Sequence, residues 1–204
     1  MENPPLMLRT AHSTVTLVAV FFCTASLAQL LTLPPQAQAG DLIFRTGTEG
    51  VSHAVMAIDQ GLYSHVGVLI GNAARWQVLH ATPAERPSSP DAVVLDELSF
   101  YLHPQRASAF QVFHVRAASA QQRQRAVDWA LAQKGRRFHM LDPSQGTYCT
   151  TLAWDAWAHA GITLPVQRTQ LALPLLSGTY LLPSALAASP RLQALPAQPA
   201  TSKP

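Results

Sequence analysis

A chain of 204 residues with 48% hydrophobic residues has the material for one globular domain with a sizeable core. Charged residues make up only 12%, the formal net charge is +3 and the arginines are scattered. The concentrated basic stripe of a nucleic-acid-binding protein is therefore absent, and nucleic acid is not an expected partner.

The first 39 residues have the layout of an export signal. Arg9 gives a short positive region, "STVTLVAVFFCTASLAQLLTL" is an uncharged apolar run, and "AQA" at Ala37–Ala39 offers the small residues a signal peptidase reads. Cleavage there would start the mature protein at Gly40 and deliver it to the periplasm or beyond. Left uncleaved, the run of about 20 residues is long enough to anchor the chain in the inner membrane. Removal of the signal takes Cys23 with it and leaves Cys149 as a single thiol, without a partner for an internal disulfide.

From Gly40, "GDLIFRT" reads as a short strand and "EGVSHAVMAIDQG" as a helix ended by Gly61. "SHVGVLI" and "WQVLHA" are β-type runs joined by "GNAAR". Taking Gly71–Ala74 as a four-residue loop pairs Ile70 with Arg75 and sets His65 directly opposite His80, on one face of the hairpin. "TPAERPSSPD" is a loop, and "AVVLDEL" and "AFQVFHVR" are two further strands, so about five strands are expected. The period then changes. "SAQQRQRAVDWALAQKG" is an amphipathic helix capped by Ser119 and stopped by Gly135. After the loop "RRFHMLDPSQGTY", Leu152, Ala153, Ala156, Trp157 and Ala160 mark one face of a helix that Gly161 closes, with Cys149 in its first turn. The remainder is apolar pieces interrupted by prolines, and the tail from Pro196 to Pro204 is expected to be disordered.

A helix N-terminus offers unpaired N–H groups and a positive dipole end, which favour a thiolate and can hold an oxyanion. Cys149 is therefore a candidate nucleophile, His65 a candidate base and His80 a candidate third group. The alternative reading is a small buried cysteine and two structural histidines. His139 lies in the loop before Cys149, whereas His53, His103, His114 and His159 fall elsewhere. Tyr63 and Tyr148 flank His65 and Cys149 and could assist an oxyanion or simply pack. Asp41 could orient the first strand. The cysteine and histidine spacings match no compact zinc pattern, so neither metal nor cofactor is expected.

"GDLIF", "YSHVGVLIG", "VLHA", "GRRFHM" and "YCTTLAWDAWAHAG", in that order, resemble the YiiX/YebB-like branch of the NlpC-type papain-like cysteine hydrolases, over roughly Gly40 to Leu195. That branch is circularly permuted, with the histidine strand ahead of the cysteine helix, as here. The resemblance implies an α+β, circularly permuted papain-like fold, an antiparallel β-sheet with the cysteine-bearing helix packed against it. It implies a signal or anchor over 1–39, a hydrolase domain over 40–195, and Cys149 as nucleophile, His65 as base and His80 as third residue. His80 departs from the glutamate common in that branch and is similar to the lecithin:retinol acyltransferase-like branch. Phe138 and His139 stand where tyrosine and aspartate are expected. The function implied is an exported thiol hydrolase acting on amide bonds of an envelope peptide such as peptidoglycan. The alternatives are acyl transfer or ester hydrolysis on lipids, and a non-catalytic binding module on the same fold. Specificity is expected from the "TPAERPSSPD" loop and the C-terminal third.

Overall fold

The computed structural model describes residues 33–141, 145–174 and 176–196. In chain order its elements are β1 (Leu42–Gly47), α1 (Gly50–Asp59), β2 (His65–Asn72), β3 (Arg75–Thr82), β4 (Ala92–Glu97), α2 (Leu98–Tyr101), β5 (Ala107–Val115), α3 (Ala120–Ala132), α4 (Cys149–His159), β6 (Thr169–Leu173), β7 (Leu176–Tyr180), α5 (Pro183–Ala187) and β8 (Leu192–Ala194). Six strands form an antiparallel sheet in the order β4-β3-β2-β1-β5-β8, and β6 and β7 form a separate hairpin. The fold is the expected α+β arrangement, with the cysteine-bearing helix packed on the sheet.

β1 runs through the middle of the sheet, and its contiguous Leu42, Ile43 and Phe44 are buried on both faces. Leu42 and Phe44 join Val66, Val68, Leu79 and Ala81 under Ala126, Ala130, Leu152, Ala153, Ala156 and Trp157 of α3 and α4. On the opposite face Ile43, Leu69, Val78 and Val112 pack with Leu98 and Tyr101 of α2. Ser119 caps α3 by accepting from the Gln122 N–H at 3.2 Å, while the Gln122 side chain accepts from the Ser119 N–H at 3.0 Å, a reciprocal capping box. The small face of α4 lets it lie close to the sheet, and the Trp157 indole donates to the Gly40 carbonyl at 3.1 Å.

Three expectations need correction. The hairpin tip is Ala73–Ala74, because the Asn72 side chain accepts from the Ala74 N–H at 2.9 Å and closes a two-residue turn. Asn72 then pairs with Arg75 and Ile70 with Gln77, a two-residue slip from the expected register. The helix α1 ends at Gln60 in a left-handed conformation (φ 51°), one residue before Gly61. The proline-interrupted C-terminal third builds the β6-β7 hairpin, α5 and the sixth sheet strand, β8, which pairs Leu192 with Val115.

The expected export signal lies mostly outside the described residues. Of its last residues, Leu33 is buried in the α2-side core and Ala37 packs against it. Among the described residues no helix is long and apolar enough to cross a membrane. The expected disordered tail, beyond Pro196, also lies outside them.

Candidate active site

Side chains alternate across a strand, so His65, His80 and Asp96 share the α2 face of the sheet. The two-residue slip preserves this, because an even shift leaves every side chain on its own face. His65 and His80 are diagonal rather than directly opposed. Gly67 lies between them, and a Cβ there would come within 2.3 Å of Val78 Cγ1 and 3.2 Å of His80 Cβ. The missing side chain therefore lets β3 close on β2 until His65 Nε2 and His80 Nδ1 are 2.8 Å apart. Tyr101 roofs both rings, with centroids 5.8 Å from His65 and 5.0 Å from His80, and its hydroxyl donates to the Ile43 carbonyl.

The chain of contacts continues beyond His80. Its Nε2 is 3.1 Å from Asp96 Oδ2, and the other Asp96 oxygen accepts from Arg86 at 2.8 Å. Burial alone would raise the Asp96 carboxyl, but the hydrogen bonds from His80 and Arg86 and their charges hold it below the usual carboxylate range. An ionised Asp96 only accepts, so His80 Nε2 carries the proton and His80 Nδ1 accepts from His65 Nε2–H. This leaves His65 Nδ1 as the basic nitrogen.

Cys149 opens α4, whose body packs on the other face of the sheet, and its thiol lies against the Val66 N–H, one residue along β2 from His65 and within the field of Arg45 and Tyr101 on the α2 face. Burial pushes the thiol up to about 11. The N–H groups of Val66, Thr150 and Cys149 itself, and the Arg45 charge, pull the other way without overcoming it. The lowered value expected of a helix N-terminus is not reached, because desolvation outweighs the dipole. His65 is shifted in the complementary sense. Burial, the Arg45 charge and His80 hold it well below the usual imidazole value. Arg45 sits directly opposite His65 in the β1-β2 ladder, donates to the Tyr101 carbonyl at 2.9 Å, and pairs with Glu85. The surroundings thus favour the neutral thiol and disfavour the cationic imidazole.

The thiol also borders a pocket walled by Val55 and Ile58 of α1, Leu171 and Leu176 of the hairpin, and Leu181 and Pro183 before and in α5. Part of this wall therefore comes from the C-terminal third. The "TPAERPSSPD" loop does not line this pocket; it supplies Glu85 and Arg86 to the buried charges behind the histidines.

The remaining candidates lie elsewhere or have other work. Tyr148 accepts from the Leu181 N–H through its hydroxyl, and Tyr63 packs on Phe44 and Phe113. Asp41 is fully buried between Arg123 (2.8 Å) and His114 (3.0 Å), clamping β1 to α3 and β5. His159 stacks on Trp129, His53 lies on exposed α1, and His103 accepts from the Gln105 N–H. The His139 N–H donates to the Thr147 carbonyl. Sequence reasoning missed Asp96, Arg86, Arg45 and Glu85. The one available sign was a carboxylate interrupting the apolar strand "AVVLDEL".

No curated protein matches the chain. Its fold is similar to the crystal structure of the metalloprotein YiiX from Escherichia coli O157:H7, with a TM-score of 0.64 and 19% identity, covering 80% of this chain and 98% of that one. With residues 36–195 matched to the family as a whole, the chain belongs to the permuted papain-like amidase enzymes of the YaeF/YiiX, C92 family.

Proposed function

We propose that the protein is a thiol amidase in which Cys149 is the nucleophile, His65 the base and His80 with Asp96 the groups that orient and stabilise it. The observation that carries this reading is the thiol at the start of α4 beside β2, whose His65 begins an unbroken relay through His80 to a buried carboxylate. Family membership supports an amidase-type hydrolase. In the proposed reaction His65 Nδ1 takes the thiol proton as sulfur attacks the carbonyl carbon, and N–H groups at the start of α4 receive the oxyanion. The relay answers the weakness of a histidine in third place: a neutral imidazole alone stabilises a cation poorly, but Asp96 behind it supplies the negative charge.

A metal of the kind YiiX is named for would find one set of three donors among the described residues, His80, Glu85 and Asp96, whose ligand atoms lie within 4.8 Å of one another. The set does not fit a cation. Glu85 is already paired with Arg45 and Arg106, and Asp96 with Arg86, so a divalent ion would join three guanidinium groups. The proposed chemistry runs through the thiol. The reading includes export, on the strength of the apolar run in the first 39 residues, which makes amides of the cell envelope the substrates to test.

The test is acid quenching of the full-length protein during turnover of an activated N-acyl anilide. A thioester adduct on Cys149, seen by mass spectrometry and lost in Cys149→Ala, is expected. Turnover surviving in Cys149→Ala would overturn the assignment.

A further inference from the structure

We propose that Arg45 is a positioning residue of this reaction: a buried cluster holding more cations than anions, with Arg45 at its inner end, stabilises the anion that forms at Cys149. The inference rests on the thiol amidase reading and adds a residue to its machinery.

The fold gives no reason for a cation at this position. Arg45 shares a face of β1 with Ile43, over α2, and its side chain is 2% exposed. A methionine would fill similar space, and exchanging a buried ion pair for well-packed apolar groups is often neutral or stabilising. The guanidinium is instead fixed from several sides. It donates to the Tyr101 carbonyl at 2.9 Å, lies 4.6 Å from the centre of the Tyr101 ring and pairs with Glu85. Its Nε is buried without a hydrogen-bond partner among the described residues, a cost that a merely structural pair has no reason to carry.

The direction of the field follows from the charges around it. Glu85, on the "TPAERPSSPD" loop, is 7% exposed and is shared: Arg106 lies 3.1 Å from its second oxygen and also donates to its backbone carbonyl. Arg106 is 14% exposed, so two buried guanidinium groups stand against one buried carboxylate. The next acid, Glu49, is 3.4 Å from Arg106 but 37% exposed, and water weakens it. Behind the histidines Asp96 and Arg86 form a pair of their own with no net charge. The excess is therefore positive. It ends at Arg45, opposite His65 in the β1-β2 ladder and next to the residue whose N–H touches the thiol.

In the attack, sulfur bonds to the carbonyl carbon, its proton passes to His65 and the carbonyl π pair moves to oxygen. Negative charge thus develops on sulfur and then on oxygen, and the excess cation favours each anion over the neutral ground state.

Two rates on the full-length protein test this: Cys149 alkylation by iodoacetamide at pH 8.5, followed by intact mass, and thioester formation from the activated N-acyl anilide. For charges roughly 10 Å apart at an effective dielectric constant of about 20, Arg45→Met should lower the thiolate fraction about tenfold. Because a more basic thiolate is also more nucleophilic, alkylation should slow by about threefold. Thioester formation should fall by about tenfold or more, since it alone passes through an oxyanion. Arg45→Lys keeps the charge and should recover about half of each rate or more. Glu85→Gln removes the counter-charge and should speed alkylation. A merely structural pair predicts the opposite sign for Arg45→Met, because a loosened site admits water and hydration favours the thiolate. Faster alkylation in Arg45→Met, or Arg45→Lys no better than Arg45→Met, would overturn the inference. If Arg45→Met does not fold, Arg106→Met at the outer end of the cluster carries the same sign: loss of the second cation slows alkylation, whereas loosening speeds it. The expected order of alkylation rates without any thioester in the unaltered protein would overturn the amidase reading alone. A thioester with the reverse order would overturn the role of Arg45 alone.

Discussion

Replacing Asp96 by Asn removes one charge from the far end of the relay and almost no volume. In the proposed reaction the positive charge appears on His65, two hydrogen bonds and one imidazole ring from the Asp96 carboxylate, a separation of roughly 8 Å. At an effective dielectric constant of about 20, unit charges at that distance attract by about 2 kcal/mol. Arg86 opposes this from the other side of Asp96, but its side chain is 46% exposed and water screens it. The net loss should be about 1–2 kcal/mol, or roughly 5- to 30-fold in kcat, with KM little changed. An Asn amide can also donate to His80 Nε2 and reverse the tautomers, so this range is the lower bound. The assay is kcat and KM on the activated N-acyl anilide as a function of pH, with a thermal melt as control. Loss of the anion should move the acidic limb of kcat/KM to lower pH, because His65 loses a group that favours its cation. A purely structural Asp96 would change the melt and leave that limb in place. An unchanged kcat with an unshifted limb would refute the relay.

Three other outcomes follow from the same geometry. Gly67→Ala puts a Cβ against Val78 and His80, so β3 must shift; urea unfolding should show a loss of about 1–3 kcal/mol, with kcat falling further than the folded fraction explains. Iodoacetamide alkylation of Cys149 should climb steadily above pH 8.5 toward about 11 rather than level off near neutrality, and a plateau below pH 8 would show that the thiol is not desolvated as described. Stability should be highest between about pH 6.5 and 9. Below about 6.5 the unfolded chain protonates His65 while the fold resists it, and above about 9 the unfolded chain ionises Cys149 while the fold keeps the proton. Each group removes up to about 1.4 kcal/mol per pH unit in its own window. Urea midpoints at pH 8.5 and 10 should therefore converge in Cys149→Ala, and an identical alkaline slope in that variant would contradict the assignment.

Local physics made much of the fold legible in advance. Ser119 and Gln122 write the start of α3 within four residues, and the offsets after Cys149 fix the buried face of α4 without reference to the rest of the chain. The histidine pair was legible as a shared face because the two-residue period of a strand survives any even register error. The register itself was not, since it turned on whether the Asn72 side chain would close the turn one residue inside the expected loop. Asp96 was harder still. Its partners come from the neighbouring strand and from a loop ten residues earlier, so nothing within its own segment distinguishes it from an exposed strand carboxylate. The C-terminal hairpin hid for a related reason. Among the described residues β6 and β7 pair with each other, and Tyr180 is the one buried residue of the two, so they carry little core-facing pattern to read.

The desolvation of the thiol and the imidazole also sets the order of events in the proposed reaction. A thiol pushed up to about 11 is ionised in only about one molecule in ten thousand at pH 7, and a depressed imidazole cannot hold the proton at rest. A stored thiolate–imidazolium pair is therefore not what this fold maintains. The charges form when a carbonyl is in place to become the oxyanion, and at that moment each has an assigned counter-group: α4 N–H groups for the oxyanion, and Asp96 through His80 for the imidazolium. Arg45 works against the imidazolium but favours every anion near it, which is why the relay needs a full carboxylate at its end.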